Sequence, residues 1–199
     1  MCGIVGYVGK RPVLDLLLKG LGQLEYRGYD STGIAVERAR GEKIEILKSE
    51  GKLENVARMA KALDAVAKGS RCGIGHTRWA THGKPTTQNA HPHRTGHVVL
   101  VHNGIIENYP EIKAEIAAKG HHPVSETDSE LFGFLVLEEM KAGKGLRPAV
   151  LAAFRRLAGS CSVVVMSDLE PGIVIGVRNG TPMVAAVDPE GGGILASDA

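Results

Sequence analysis

Cysteine is the second residue of the chain and belongs to the opening segment MCGIVG at positions 1–6. Because Cys2 is small, an aminopeptidase can remove Met1 and leave cysteine as the N-terminus. The α-amine then titrates near pH ~8 and the thiol near ~8.5, so the amine can accept the thiol proton at physiological pH. The sequence therefore predicts a nucleophile that carries its own base; the alternative is that chance placed cysteine at this position.

A second polar segment, GHTRWATHGKP at 75–85, opens a predicted loop that runs to about Gly96. Loops of this length are usually functional. The planar guanidinium of Arg78 can hold a carboxylate through two hydrogen bonds, and Thr81 and His82 are close enough in sequence to add donors. The alternative for Arg78 is a solvated side chain. Trp79 is interpreted either as a plug of the core or as a wall or lid over a substrate.

Two further positions have polar groups suited to catalysis or binding. An apolar strand predicted at 98–101 leads into Asn103 and Gly104, whose side-chain amide and backbone N–H can form an oxyanion hole. One such donor is typically worth roughly 10²–10³ in rate. Asp128, near the start of a predicted helix, can bind a substrate ammonium. The alternatives are an ordinary Asn-Gly turn and an acidic residue in a first helical turn.

Composition limits the class of protein. The 199 residues are 43% hydrophobic, which predicts one globular domain. The net charge is +2 and aromatic residues make up only 4%, so nucleic acid is not an expected partner. No apolar stretch reaches the ~18 residues that span a bilayer, and no signal peptide is recognisable. We expect no membrane association and a cytoplasmic location.

Cysteine and histidine usage predicts neither a disulfide framework nor a metal site. The three cysteines form no CxxC pair, and Cys72 and Cys161 lie in strand-like segments, which is typical of buried thiols. The eight histidines include no HExxH pair, and His91 and His93 are predicted to lie in a turn.

Hydrophobic periodicity and turn residues predict the elements that position these groups. Helices are predicted from Pro12 to about Gly28, at 53–66, from Asn108 to Gly120, from Thr127, and at 146–157. Strands are predicted at 34–36, 43–47, 71–76, 97–102, 162–167, 173–178 and 183–187.

Turn and cap signals add three details. Arg40-Gly41-Glu42 and Asn179-Gly180 are predicted to turn two hairpins, and Thr127 and Glu130 have the spacing of a capping box. Hairpins separated by helical segments favour an α+β fold with mostly antiparallel sheets and helices packed outside them.

Several motifs point to one family when they are taken together. They are MCGIVGYV at 1–8, LEYRGYDSTGIAV at 24–36, HTRWATHGKPTTQNAHPH at 76–93, VHNGIIENY at 101–109 and SETDSE at 125–130. With these motifs the chain resembles, nearly end to end, the glutaminase domain of the glutamine–fructose-6-phosphate aminotransferases, or glucosamine-6-phosphate synthases, which are class II glutamine amidotransferases.

The resemblance implies the N-terminal-nucleophile hydrolase fold, a four-layer αββα sandwich with antiparallel sheets. It implies that residues 1–199 are one glutaminase domain, shortened at its C-terminal end, and that the sugar isomerase portion of a homo-oligomeric parent protein is absent. The implied reaction is hydrolysis of L-glutamine to glutamate and ammonia, with no metal or organic cofactor. In the parent protein the ammonia converts fructose 6-phosphate to glucosamine 6-phosphate.

The same resemblance implies catalytic roles for particular residues. Cys2 matches the nucleophile, which forms a γ-glutamyl thioester, and Asn103 and Gly104 match the oxyanion hole. Arg27 and Gly28 match residues that support the nucleophile.

Substrate binding is implied for a second set. Arg78 matches the clamp for the glutamine α-carboxylate, with Thr81 and His82 beside it, and Asp128 matches the residue that holds the α-ammonium. Trp79 resembles a gate that closes over the substrate.

Two other functions remain compatible with the residues. An N-terminal-cysteine hydrolase of other linear amides would need an apolar acyl pocket in place of Arg78 and Asp128. A catalytically inert fragment of the synthase is the other alternative.

Overall fold

Two antiparallel sheets form the centre of the structure, a computed structural model that describes residues 2–38, 43–67, 69–80 and 83–199. The first sheet contains, in spatial order, β3 (Glu45–Glu50), β2 (Ser31–Val36), β4 (Cys72–Arg78), β1 (Gly3–Val8), β10 (Gly193–Ala196) and β9 (Val184–Val187). The second contains β5 (His93–Thr95), β6 (Val98–Gly104), β7 (Cys161–Ser167) and β8 (Ile175–Asn179). The helices are α1 (Val13–Leu24), α2 (Leu53–Ala67), α3 (Tyr109–Ala118), α4 (Ser129–Lys141) and α5 (Leu146–Phe154).

The hydrophobic core is divided into three layers, which define the stacking of the sheets and helices. Adjacent residues of β1 show the division: Ile4 packs between the two sheets, whereas Val5 packs on the α1 side of the first sheet. Side chains that alternate in this way let one sheet bury both of its faces. A third cluster, around Phe132, joins the second sheet to α3, α4 and α5. The order is helix, sheet, sheet, helix, and the predicted α+β sandwich is confirmed.

The predicted helices and strands are present, with small shifts at their ends. Pro12 directly precedes α1, whose residues Leu17, Leu21 and Leu24 recur at helical spacing and are buried against the sheet. A 3₁₀ turn at Glu25–Arg27 continues α1 as far as Gly28. In the described residues, none of the helices is long and apolar enough to cross a membrane.

The predicted capping box at α4 is wrong. The helix begins at Ser129, and the Thr127 hydroxyl lies 3.1 Å from Nε2 of His93 rather than capping a backbone N–H of the first turn. The Glu130 carboxylate accepts the backbone N–H groups of Val124 and Ser125, at 3.1 and 2.7 Å. Thr127 and Glu130 have the spacing of a capping box, but neither side chain bonds to the partner that a capping box requires.

One of the two predicted hairpins is also wrong. β2 pairs with β3 as expected, although the Arg40-Gly41-Glu42 turn lies outside the described residues. At Asn179-Gly180, however, the chain leaves β8 in the second sheet and enters β9 in the first. This turn therefore connects the two sheets instead of closing a hairpin within one.

The polar loop is shorter than expected. The chain stays in β4 as far as Arg78 and enters β5 at His93, so His93 lies in a strand and not in a turn. Cys72 and Cys161 are buried, as predicted. The ends of β4, β1 and β6 come together at one edge of the sandwich, where the predicted site residues meet.

Candidate active site

The Cys2 thiol lies directly before β1, beside the residue that follows β4. Its Sγ accepts a hydrogen bond from the backbone N–H of Trp79 at 3.1 Å and lies 3.5 Å from the Trp79 carbonyl oxygen. Burial raises the pKa of the Cys2 thiol, and the hydrogen bond from Trp79 acts in the opposite direction. A thiol with a raised pKa requires a base to become nucleophilic at neutral pH.

The carbonyl group of Cys2 accepts two hydrogen bonds from opposite sides of the sandwich. Nε of Arg27, in the 3₁₀ turn after α1, donates at 3.1 Å, and Nδ2 of Asn103, near the end of β6, donates at 2.9 Å. Nη1 of Arg27 also pairs with Asp198 at 2.7 Å. Two donors on one carbonyl fix the orientation of the peptide that carries the nucleophile.

Gly28 allows two backbone segments to touch beneath the thiol. A Cβ atom at this position would lie 2.6 Å from the carbonyl carbon of Arg78 and 2.8 Å from the Trp79 nitrogen, well inside van der Waals contact. Asp30 holds the same segment, because its N–H donates to the Arg78 carbonyl at 3.1 Å and its carboxylate accepts the N–H of Ala80. The segment from Gly28 to Asp30 therefore positions the Trp79 N–H that contacts Cys2.

Arg78 and Trp79 point in different directions from the end of β4. The guanidinium of Arg78 is buried and donates to the carbonyl oxygen of Lys84 at 3.2 Å. Trp79 is 48% exposed, and its ring meets that of Tyr29 edge to face at 5.6 Å. The interpretation of Trp79 as a plug of the core is therefore wrong. Thr81 and His82 lie outside the described residues.

Asp128 lies directly before α4 and lines the same cavity as Cys2. One of its carboxylate oxygens accepts the N–H of Ile106 at 2.8 Å, and the other lies 3.4 Å from Oγ of Ser129 and 3.9 Å from Nδ1 of His102. A small cavity of about 30 Å³ connects these groups. Its lining comprises Cys2, Arg78, Trp79, His91, His102, Gly104, Thr127, Asp128 and Ser129.

The lining of this cavity combines a thiol, a guanidinium and a carboxylate, the groups required to hold and attack an amino acid. Position 104 requires glycine, because its φ is +125° and a Cβ atom there would lie 2.2 Å from the carbonyl oxygen of Ser160. A larger cavity, of about 540 Å³, lies between α1 and β10, away from the thiol. We therefore assign the chemistry to the smaller cavity.

Four histidine side chains near the site are buried, and two of them, His91 and His102, line the cavity; the other two are His76 and His93. Burial lowers the pKa of each ring, that of His76 to about 3, so these rings are neutral at physiological pH. Within the described ranges, no group of three or more His, Cys, Asp or Glu side chains is arranged to hold a metal ion.

Three supporting residues were not found by sequence reasoning. Besides Asp30, these are Asp198, through its pair with Arg27, and Asn89, whose side-chain amide bonds to the Lys84 carbonyl at 3.0 Å and to the Glu126 carboxylate at 2.9 Å. Asn89 thus ties the loop after Arg78 to the segment before α4. Each of the three is an ordinary polar residue in the sequence, and no local pattern distinguishes it.

Comparison with known proteins places the chain in a family. A family model described as class II glutamine amidotransferases matches residues 21–164. The chain is 44% identical over 198 residues to glutamine–fructose-6-phosphate aminotransferases (isomerizing) of Shigella flexneri and Escherichia coli K12, and 43% identical over 199 residues to that of Zymomonas mobilis. These matches include the whole of this chain but only 32% of the length of each relative.

Solved structures show the same fold. A glutamine phosphoribosylpyrophosphate amidotransferase from B. subtilis, complexed with ADP and GMP, superposes with a TM-score of 0.79 at 22% identity over 98% of this chain and 42% of that one. A glutamine aminotransferase class-II domain protein from Silicibacter pomeroyi gives a TM-score of 0.64 at 17% identity over 99% of this chain and 89% of that one. The family predicted from the sequence motifs is confirmed: the chain belongs to the class II glutamine amidotransferases.

Proposed function

We propose that this chain hydrolyses the side-chain amide of L-glutamine to glutamate and ammonia, with Cys2 as the nucleophile once Met1 has been removed. The observation that supports this most directly is that Cys2, Arg78 and Asp128 line one small cavity. An α-amino acid has a negative and a positive group on one carbon. The two charged side chains match that pair, whereas an apolar acyl group would offer neither of them an opposite charge.

The reaction begins with transfer of the thiol proton to the α-amine of Cys2. The thiolate attacks the amide carbon of glutamine, and negative charge develops on the amide oxygen. Asn103 and Gly104 are the proposed donors to that oxyanion. An asparagine amide has two N–H groups, so Nδ2 can donate to the Cys2 carbonyl and still offer its second N–H to the oxyanion.

The tetrahedral intermediate collapses when its C–N bond breaks. The protonated α-amine gives its proton to the leaving nitrogen, and ammonia departs. The γ-glutamyl thioester that remains is attacked by water, which releases glutamate and restores the thiol. The balance is one glutamine and one water consumed for one glutamate and one ammonia, so the proposed steps need no metal or organic cofactor.

The remaining site residues are proposed to bind the substrate or to hold the nucleophile in place. We assign the α-carboxylate of glutamine to Arg78 and its α-ammonium to Asp128. Thr81 and His82 are proposed to assist Arg78, although they lie outside the described residues. Trp79, which is exposed and lines the cavity, is the proposed gate over the bound substrate.

Support of the nucleophile is proposed for Arg27 and Gly28. Arg27 donates to the Cys2 carbonyl, and Gly28 lets the Trp79 N–H approach the thiol.

The relatives suggest what uses the ammonia. Because the chain spans 32% of their length, we propose that it is the glutaminase domain of a longer protein with a sugar isomerase domain. Their name supports fructose 6-phosphate as the acceptor, and we propose glucosamine 6-phosphate as the product. We further propose that this longer protein is a homo-oligomer located in the cytoplasm.

Glutamate release from glutamine tests the proposal, with intact mass used to confirm that Met1 is absent. We expect Cys2→Ala to abolish release and Cys72→Ala to retain it, because Cys72 is a buried thiol at the far end of β4. Free glutamate is expected to compete with glutamine. Hydrolysis of linear amides without competition by glutamate would favour the other amidase, and inactivity with Met1 removed would favour an inert fragment.

A further inference from the structure

His76 makes a contact that the proposed mechanism does not yet use. From β4 in the first sheet, its Nε2 lies 3.0 Å from Oδ1 of Asn103 and 3.1 Å from the carbonyl oxygen of His102, both on β6 in the second sheet. The His76 side chain is fully buried. A buried ring therefore bridges the two sheets at the residue proposed to stabilise the oxyanion.

The partners of His76 determine its tautomer. Both are oxygens that only accept hydrogen bonds, so Nε2 must carry the proton. Burial also keeps the pKa of His76 at about 3, and the ring is therefore neutral with a bare Nδ1. In the described structure Nδ1 has no hydrogen-bond partner, which agrees with this tautomer.

The same bond determines which way the Asn103 amide faces. If the amide were flipped, its NH₂ would meet the Nε2–H of His76, and its oxygen would face the Cys2 carbonyl oxygen. Both contacts would be repulsive. In the observed orientation Oδ1 accepts from His76, one N–H of Nδ2 donates to Cys2 at 2.9 Å, and the direction of the second N–H is set by the amide plane.

We propose that His76 is a positioning residue for the oxyanion hole, which orients the Asn103 amide so that its second N–H is presented to the tetrahedral intermediate. The proposal rests on the proposed glutaminase function. In the described structure His76 is not part of the lining of the Cys2 cavity, and it acts only through Asn103. A bridge that merely held the sheets together would instead affect every property of the site.

Two variants separate these roles. His76→Phe keeps a planar ring but removes the N–H donor, whereas His76→Gln keeps an N–H at a similar distance from the backbone. We expect His76→Phe to lower kcat for glutamate release by roughly 10- to 100-fold and to leave KM nearly unchanged. The fall should not exceed the lower end of the roughly 10²–10³ range for loss of one oxyanion donor, because Asn103 keeps its N–H groups and loses only their orientation. We expect His76→Gln to recover most of kcat. If His76→Phe does not fold, His76→Asn replaces it, because its amide is too short to reach Asn103.

Two probes report on the oxyanion hole and on the thiol. The γ-aldehyde analogue of glutamate forms a tetrahedral adduct with Cys2, and its inhibition constant should rise by about the same factor as kcat falls. Iodoacetamide alkylates the thiolate by displacing iodide and forms no oxyanion, so its rate should be unchanged.

A double-mutant cycle completes the test. If His76 acts only through Asn103, then His76→Phe has no further effect on kcat in an Asn103→Ala background. Unchanged kcat in His76→Phe overturns the proposal, as does a parallel fall in kcat and in the iodoacetamide rate, which would indicate a general structural role. An inactive wild-type chain that lacks Met1 would overturn the proposed function itself, and this inference with it.

Discussion

Replacing Gly28 by alanine is expected to damage the site through a single methyl group. The new Cβ would lie 2.6 Å from the carbonyl carbon of Arg78, 2.7 Å from its oxygen and 2.8 Å from the nitrogen of Trp79. All three are backbone atoms and cannot rotate away as a side chain would. Because two carbon atoms are in unstrained van der Waals contact at ~3.5 Å, the two segments must separate by ~1 Å.

That shift acts directly on the nucleophile. The Trp79 N–H now donates to Sγ of Cys2 at 3.1 Å, and a displacement of ~1 Å breaks a hydrogen bond. Arg78, carried by the same peptide, moves with it. A misplacement of this size typically costs about 10²-fold in rate, so we expect kcat/KM of Gly28→Ala to fall by that order. Overpacking of this kind costs roughly 1–3 kcal/mol in the free energy of unfolding.

Steady-state glutamate release and urea unfolding measure the two effects. Gly22→Ala is the matched control, because its Cβ would lie 3.7 Å from the nearest atom, on Leu53, and Gly22 is in α1. We expect this control to keep wild-type kinetics and to gain about 0.5–1 kcal/mol from the better helix former. Wild-type kcat/KM in Gly28→Ala would refute the proposed link between Gly28 and the thiol.

Two further predictions concern pH and the C-terminal segment. Burial holds three histidine rings neutral in the folded state, with pKa values far below the usual one: His76, His91 and His93. The same histidines become protonated in the unfolded chain below pH ~6.5. The free energy of unfolding should therefore fall by up to about 1.4 kcal/mol per histidine for each pH unit below that value. Equal urea midpoints at pH 7.5 and 5.5 would contradict this. Asp198→Ala should change the free energy of unfolding little, because Asp198 is 42% exposed, yet it should lower kcat several-fold by loosening Arg27. Loss of the surface pair in Lys119→Ala should leave kcat unchanged. Equal kcat in the two variants would show that Asp198 does not act through Arg27.

Local signals predicted the elements well. Pro12 and the regular leucines that follow it were enough to place α1, and alternating apolar residues placed the strands. The Asn179-Gly180 turn shows the limit, because turn chemistry says only that the chain changes direction. Which sheet the next strand joins depends on which edge is free, and in this fold β9 pairs with β10 rather than with β8.

For the candidate site, too, the sequence indicated the residue types, whereas the tertiary structure decided which groups they contact. The types of Cys2, Arg78 and Asp128 indicated a nucleophile and two opposite charges, and the structure places all three around one cavity. The capping-box prediction failed because Glu130 found backbone donors at Val124 and Ser125 that the folded chain brings within reach. Spacing along a helix predicts only which partners are possible.

The proposed chemistry of this protein was therefore readable from the order of its residues: a cysteine next to the initiator, motifs that contain Arg78, Asn103 and Asp128, and the family to which those motifs point. The contacts that hold the nucleophile in place could not be predicted from the sequence. Arg27 and Asn103 meet at the Cys2 carbonyl from 25 and 101 positions away, and Asp198 reaches Arg27 across 171. Such contacts arise because two sheets pack face to face over a shared core, and side chains so far apart in sequence become neighbours only when the whole core is assembled.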